Sequence, residues 1–297
     1  MNTETEVVVI TGASTGFGRR AAEQLARQRY TVYATMRGAT GKNDSLRQAI
    51  EQVAGQEGLR LYVVEMDVTS DASVETAAQT ILDQSGRVDV LINSAGIWGP
   101  GVLEAYSMAQ WQQVFAVNVF GSVRAARAFL PAMREQGSGL IVQISSLQGR
   151  FILPYSGPYV ASKFAVEGAM ETFRYEVAPY GVEVSIIEPG DFMTEMKQKA
   201  TGYAAADGGR QDQYAGVGAF IEAAYLTPDP QRSGDPRHVV EAIQQVVDAT
   251  PGKRPLRTTV GNFLPQIEQI NALSQEMHQQ LFPQIGLGQL LTVNVRE

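Results

Sequence analysis

Apolar residues along this chain alternate between short dense runs and longer mixed stretches. The dense runs are Val7–Thr11, Thr31–Met36, Leu61–Met66, Val88–Ile92, Leu140–Ser145 and Val182–Glu188. Several are continuous in Val, Ile and Leu, which predicts strands covered on both faces, as in a parallel sheet. Helix candidates lie between them: Gly16–Gln28, Asp44–Glu57, Ser70–Gln84, Ser107–Glu135 and Tyr159–Tyr180. Ser70 and Asp71 open the third helix with capping chemistry, and Gly86 follows its end. Strand-then-helix steps repeated in this order predict an α/β fold, a doubly wound parallel sheet with right-handed crossovers and helices on both faces.

Beyond the sixth strand the pattern loosens. Gly202–Gly218 is rich in Gly, Ala, Asp and Gln and reads as a mobile loop, either one that closes over a substrate or a disordered surface insertion. Asp235–Ala249 reads as a helix, Arg254–Val260 as a last strand and Phe263–Leu281 as an amphipathic helix. No internal repeat or low-complexity linker marks a boundary. The expectation is one domain over residues 1–297, with its core at about 6–195 and a substrate loop and C-terminal helical extension at about 196–297.

Composition narrows the chemistry. With 24 basic and 31 acidic residues the net charge is −7, and no basic block appears, which argues against nucleic acid or an anionic membrane as partner. The absence of cysteine excludes disulfides, thiolate metal sites, Fe–S clusters and Cys nucleophiles. Two histidines, His238 and His278, leave no His-rich metal site. No apolar run reaches the ~18 residues of a membrane helix, and Met1–Glu6 lacks the basic start of a signal peptide. A cytoplasmic protein is expected.

The first strand runs into Thr11-Gly12-Ala13-Ser14-Thr15-Gly16-Phe17-Gly18. Strand, glycine-rich turn and helix start together make an anion site, because the helix N-terminus offers free N–H donors and a positive dipole. Gly12 lets the chain turn, Gly16 admits a phosphate to the backbone, and Gly18 lets the helix pack on the sheet. At the end of the second strand an acid would bond the ribose 2′-hydroxyl of NAD. Arg37 stands there instead, where a guanidinium could fork onto a 2′-phosphate, so NADP(H) is expected in preference to NAD(H).

Tyr159 and Lys163 are spaced i, i+4, so one helix face carries both. Hydride transfer to a carbonyl carbon builds negative charge on oxygen and calls for a proton there. A phenol of pKa ~10 serves poorly at neutral pH, and a cation about 4–6 Å away lowers it by roughly 1–3 units. Lys163 is that cation.

These residues resemble the short-chain dehydrogenases/reductases. The T-G-x-x-x-G-x-G loop, Asp67-Val68 after the third strand, Asn93-Ser94-Ala95-Gly96 after the fourth, Asn118 in the long helix, Ser146 thirteen positions before Tyr159, and Pro189-Gly190 with Thr194 follow that family's order. The resemblance implies a Rossmann-type fold and a CH–OH oxidoreductase. It implies cofactor contacts at Gly12, Ser14, Thr15, Gly16, Phe17, Gly18, Arg37, Asp67, Val68, Asn93, Ala95, Gly96, Tyr159, Lys163, Pro189, Gly190 and Thr194. It implies that Tyr159 moves the proton, Ser146 holds the substrate oxygen, Lys163 also bonds the nicotinamide ribose, and Asn118 supports a water chain to Lys163. Ser145, one residue off and on the opposite side of its strand, is passed over.

Substrate is expected past the carboxyl ends of the strands, near Trp98, Gln148, Leu153, Tyr155, Phe192, Met193 and Met196. Mostly apolar, they suit a hydrophobic ketone or aldehyde and its alcohol. Phrases such as Tyr33-Ala34-Thr35-Met36-Arg37 and Ala161-Ser162-Lys163-Phe164, with the long C-terminus, resemble the hydroxysteroid and retinol dehydrogenase-like branch. Family members pair through the helices Ser107–Glu135 and Tyr159–Tyr180, which implies a homodimer or homotetramer. Two alternatives stand: a cofactor-retaining isomerase or dehydratase, and a non-catalytic NADP-sensing regulator, which would have no need of Tyr159 and Lys163.

Overall fold

The computed structural model describes residues 5–227, 229, 233–262 and 264–295. Residues 1–4 of the expected N-terminal stretch and Phe263, the expected first residue of the last helix, lie outside them. Seven strands alternate with helices: β1 (Val7–Thr11), α1 (Gly16–Arg27), β2 (Thr31–Met36), α2 (Asp44–Glu57), β3 (Leu61–Glu65), α3 (Asp71–Ser85) and β4 (Val90–Asn93). There follow α4 (Met108–Phe115), α5 (Gly121–Gln136), β5 (Gly139–Ile144), α6 (Gly157–Val177) and β6 (Val182–Pro189). The C-terminal part adds α7 (Glu195–Lys199), α8 (Gly208–Gln211), α9 (Val217–Ile221), α10 (Arg237–Asp248), β7 (Arg257–Val260) and α11 (Leu264–Gln284).

All strand pairs are parallel, in the order β3-β2-β1-β4-β5-β6-β7. The chain steps outward from β1 to β3, returns to lay β4 beside β1, then steps outward on the other side. Helices leaving β1 and β4 therefore depart to opposite faces, and a crevice opens at the carboxyl ends of these two strands. Alternation along β1 divides the core. Val7 and Val9 pack with Ile81, Phe129, Met133 and Met170 on one face, while Val8 and Ile10 pack with Leu25, Ile50, Ile243 and Val246 on the other. Each such side chain stabilises the fold by about 1.5–3 kcal/mol on burial. Every residue of β6 is buried, consistent with a strand roofed on both faces.

The expected elements form with ends shifted by a residue or a few. Ser70 caps α3 by accepting the Ser73 N–H at 3.3 Å, and Gly86 ends it in the left-handed region at φ 69°. Two readings are corrected. The helix expected at Ser107–Glu135 is two helices joined by a π-helical turn, Ala116–Phe120, in which the hydrogen-bond ladder widens around Asn118. Gly202–Gly218 is not a free loop. It forms short helical turns fastened to α4, where Gln110 Nε2 donates to Ala204 O at 2.6 Å, and to the chain at Gly99–Gly101, where Ala205 N donates to Pro100 O at 3.2 Å. Gly99 and Gly101 permit the seat, since a side chain at either would run into the backbone of Tyr203 or the side chain of Ala205. Among the described residues no helix is long and apolar enough to cross a membrane.

Candidate active site

The crevice is closed at its base by Thr11, whose hydroxyl accepts the Ser94 and Ala95 N–H groups at 3.1 and 3.2 Å. This ties the ends of β1 and β4 together. Gly12 turns there at φ 67°, and a β-carbon on it would sit 2.6 Å from Ala95 Cα, so only glycine fits. The cleft above holds about 260 Å³. Ser14, Thr15, Gly16, Phe17, Arg37, Asp67, Val68, Ala95, Gly96 and Thr194 line it, together with Gly12.

Of the other expected cofactor residues, Gly18, Asn93, Pro189 and Gly190 are packed against the structure that supports the cleft. Gly18 lies against Gly12 O and the Ser94 hydroxyl, and Gly190 behind Leu147. Asn93 is buried and donates to Ser122 O at 3.3 Å, fastening β4 to α5. Burial alone would raise Asp67, but hydrogen bonds from the Thr69 hydroxyl and amide outweigh it and hold this carboxyl below its usual range.

The anion preference of the loop is visible directly. At the start of α1 the Gly16 N–H is 3.0 Å from Oε2 of Glu195, a carboxylate brought by α7. Four residues on, Lys199 Nζ donates to Thr15 Oγ1 at 2.8 Å. Arg37 Nη2 donates to the Tyr203 hydroxyl at 3.3 Å. Lys42, Asn43, Lys199 and Tyr203 also line the cleft, and none of them was expected there. Lys199 and Thr15 are 184 positions apart, and nothing in the spacing of either links them.

Beyond the cleft, α6 presents Tyr159 and Lys163 from one face. Nζ lies 5.4 Å from the centre of the phenol ring and donates to Ile144 O at 3.0 Å. Ser146, just past β5, accepts the Gln148 N–H at 3.1 Å and donates to Pro189 O at 3.4 Å. Asn118 holds the Ile97 peptide from both sides: Oδ1 accepts Ile97 N–H at 2.8 Å and Nδ2 donates to Ile97 O at 2.9 Å. Nδ2 also reaches the Ser162 hydroxyl at 3.0 Å, which in turn donates to Tyr159 O at 2.7 Å. The Asn118 side chain thus spans from the β4 loop to α6.

Burial pushes the Tyr159 phenol up to about 12, and the neighbouring Ser146 hydroxyl only partly offsets it. Burial pulls Lys163 down to about 8, against the pull of Glu167 one turn further along α6. Taking the phenolate out of water is what dominates at Tyr159. Beneath lies an ionic cluster. Arg257 reaches Glu167 at 2.9 Å, Glu171 at 2.6 Å and Glu188 at 3.3 Å. Ser145 faces this cluster, not the phenol, with Oγ beside Gly149 and no hydrogen-bond partner.

The expected substrate residues divide. Trp98, fixed by Nε1 to Ser156 Oγ at 2.7 Å, packs with Tyr159, Ala200, Met196, Tyr225 and Leu226 as an apolar cover over the phenol. Gln148, two residues past Ser146, donates its N–H to the Ser146 hydroxyl. Tyr155, at φ 59°, packs instead with Val102, Ala105, Val217 and Ile221, edge-on to Phe220. Leu153 is half-buried and belongs to neither group. Two readings fail. Phe192 is core, edge-to-face on Phe17 at 5.8 Å, because its backbone pairs with Gly234 and turns the ring inward. Its neighbour Met193 points the other way and is 46% exposed.

The sequence pattern of the family described as short chain dehydrogenase matches residues 6–203. The chain is 34% identical to the 3-ketodihydrosphingosine reductase of Bacteroides thetaiotaomicron, over 86% of this chain and 88% of that protein. It is 36% identical to human retinol dehydrogenase 8, over 84% and 79% respectively. Among solved structures, a short-chain dehydrogenase from Streptomyces avermitilis is 30% identical and superposes with a TM-score of 0.74, covering 96% of this chain and 98% of that one. Another match, a metagenomic short-chain oxidoreductase, was solved in complex with NADP. Fold, cleft and kinship agree: the chain belongs to the short-chain dehydrogenase/reductase family of oxidoreductases, in its hydroxysteroid- and retinol-dehydrogenase-like branch.

Proposed function

We propose that this oxidoreductase interconverts a hydrophobic ketone or aldehyde and its alcohol with NADP(H), working as one catalytic unit over residues 1–297. The observation that carries the reading is the pairing of Tyr159 and Lys163 on one face of α6, the ammonium 5.4 Å from the phenol ring, with the Ser146 hydroxyl acting on the phenol to lower it. The loop fits a dinucleotide: it has a helix-start N–H that already holds a carboxylate, and a glycine turn that no side chain could enter. When bound, the nicotinamide supplies or accepts the hydride.

The protein's own groups do the rest. Ser146 donates to the substrate oxygen and fixes it beside Tyr159. In reduction the Tyr159 hydroxyl gives its proton to that oxygen as charge grows there; in oxidation it takes the proton back. The phenolate so formed lies beside the Lys163 ammonium, which limits its cost in a dry site. Asn118 acts through position, holding the Ile97 peptide and, by way of Ser162, the turn of α6 that carries Tyr159. Arg37 at the end of β2 supports NADP(H) over NAD(H). The cover formed by Trp98, Met196, Tyr225 and Leu226 suits an apolar substrate body. Exposed Phe120 and Phe164 support pairing of two copies through α4 to α6.

The test is Tyr159→Phe in the purified protein, with NADPH oxidation followed by absorbance over a panel of ketones, aldehydes and steroids. Turnover should fall by two or more orders of magnitude with nucleotide affinity kept. Near-parental turnover by the variant would refute the mechanism. Nucleotide binding by the parent without net redox on any substrate would favour an isomerase, a dehydratase or a sensor.

A further inference from the structure

Arg37 is one cation, and a phosphomonoester carries nearly two negative charges. Lys42 lines the cleft as well, and a further cation comes from a distant part of the chain. α7 is anchored over the glycine loop at its start, where Glu195 takes the Gly16 N–H. Its last residue, Lys199, then reaches down to Thr15 Oγ1 at 2.8 Å. Four residues later Tyr203 reaches Arg37 at 3.3 Å. The segment Glu195–Tyr203 thus delivers an ammonium to Thr15 and a phenol to Arg37 in one cleft. Among the described residues Lys199 Nζ has a neutral hydroxyl as its hydrogen-bond partner, which leaves its charge for an anion. Asp67, the acid on that wall, is occupied by Thr69.

We infer that Lys199 is a specificity-determining residue that grips the 2′-phosphate of NADP(H) together with Arg37. It rests on the NADP(H) reading and adds a residue to it. An ammonium placed there bonds a 2′-phosphate with charge assistance and gains little from a 2′-hydroxyl. Thr15 Oγ1 marks the spot, so a cation introduced at residue 15 should replace the one lost at residue 199.

Isothermal titration with 2′,5′-ADP and 5′-AMP tests this without turnover. Lys199→Met should weaken 2′,5′-ADP about tenfold and leave 5′-AMP unchanged. Lys199→Arg should keep most of the affinity, and Thr15→Lys added to Lys199→Met should restore it. Equal weakening of both nucleotides, or of neither, overturns the role of Lys199 while leaving the NADP(H) reading intact. A parent protein that binds 5′-AMP as tightly as 2′,5′-ADP overturns both.

Discussion

Glu188 offers a pH test of how the ionic cluster under the active site is balanced. Its side chain is fully buried at the end of β6. Oε2 accepts from Asn271 Nδ2 at 2.7 Å, but Oε1 has no hydrogen-bond donor, since the Nε proton of Arg257 is directed to Glu167. Burial first, and the like charge of Glu167 second, raise this carboxyl from 4.5 to about 7. A raised acid is held protonated by the fold, so its contribution is full below pH ~4.5 and lost as pH climbs through about 7. The shift is 7 − 4.5, or 2.5 units, which at ~1.4 kcal/mol per unit is about 3 kcal/mol. Glu188→Gln keeps the shape and the Asn271 contact but cannot ionise. It should be more stable than the parent by about 1–3 kcal/mol at pH ~8 and within ~1 kcal/mol of it at pH ~5. Urea unfolding, followed by fluorescence of Trp98 and Trp111 at the two pH values, reads the difference. A pH-independent difference, or a variant less stable at pH ~8, would show that Arg257 and Arg150 keep Glu188 ionised and that the burial argument is wrong.

Arg257→Met should destabilise by about 3–5 kcal/mol at neutral pH, because it strands buried carboxylates; a calorimetric melting point unchanged from the parent would contradict this. Arg37→Asp should raise KM for NADPH far more than for NADH, and equal changes would remove the 2′-phosphate argument. Gly101→Val should unseat Ala205 and expose residues 199–226 to limited proteolysis; a cleavage rate equal to the parent's would mean the seat does not depend on that close approach.

The parallel sheet was readable because its strands are roofed on both faces, and continuous Val and Ile runs are what such burial requires. β1, β2 and α2 have the expected ends. Tyr159 and Lys163 were readable because helical spacing alone puts them together. Long-range placement was not. Phe192 and Met193 are adjacent and both apolar, and only the pairing of Phe192 with Gly234 decides which is core. Lys199 and Tyr203 enter the cleft because α7 folds back over a loop at the other end of the sequence. The electrostatic sign at Tyr159 depends on the degree of burial, which the i, i+4 spacing does not carry.

The widened turn at Ala116–Phe120 has a bearing on how this protein could evolve. An α-helix advances about 100° per residue, so the extra residue that the turn absorbs sets α4 and α5 out of phase by that amount. Ala125, Phe129 and Met133 lie inward only with this offset in place. Deleting one residue within 116–120 would restore an unbroken helix, swing those side chains toward solvent and draw the Asn118 amide off the Ile97 peptide. Core register and active-site geometry are thereby bound to the same irregularity, and a lineage could not regularise this helix without losing both.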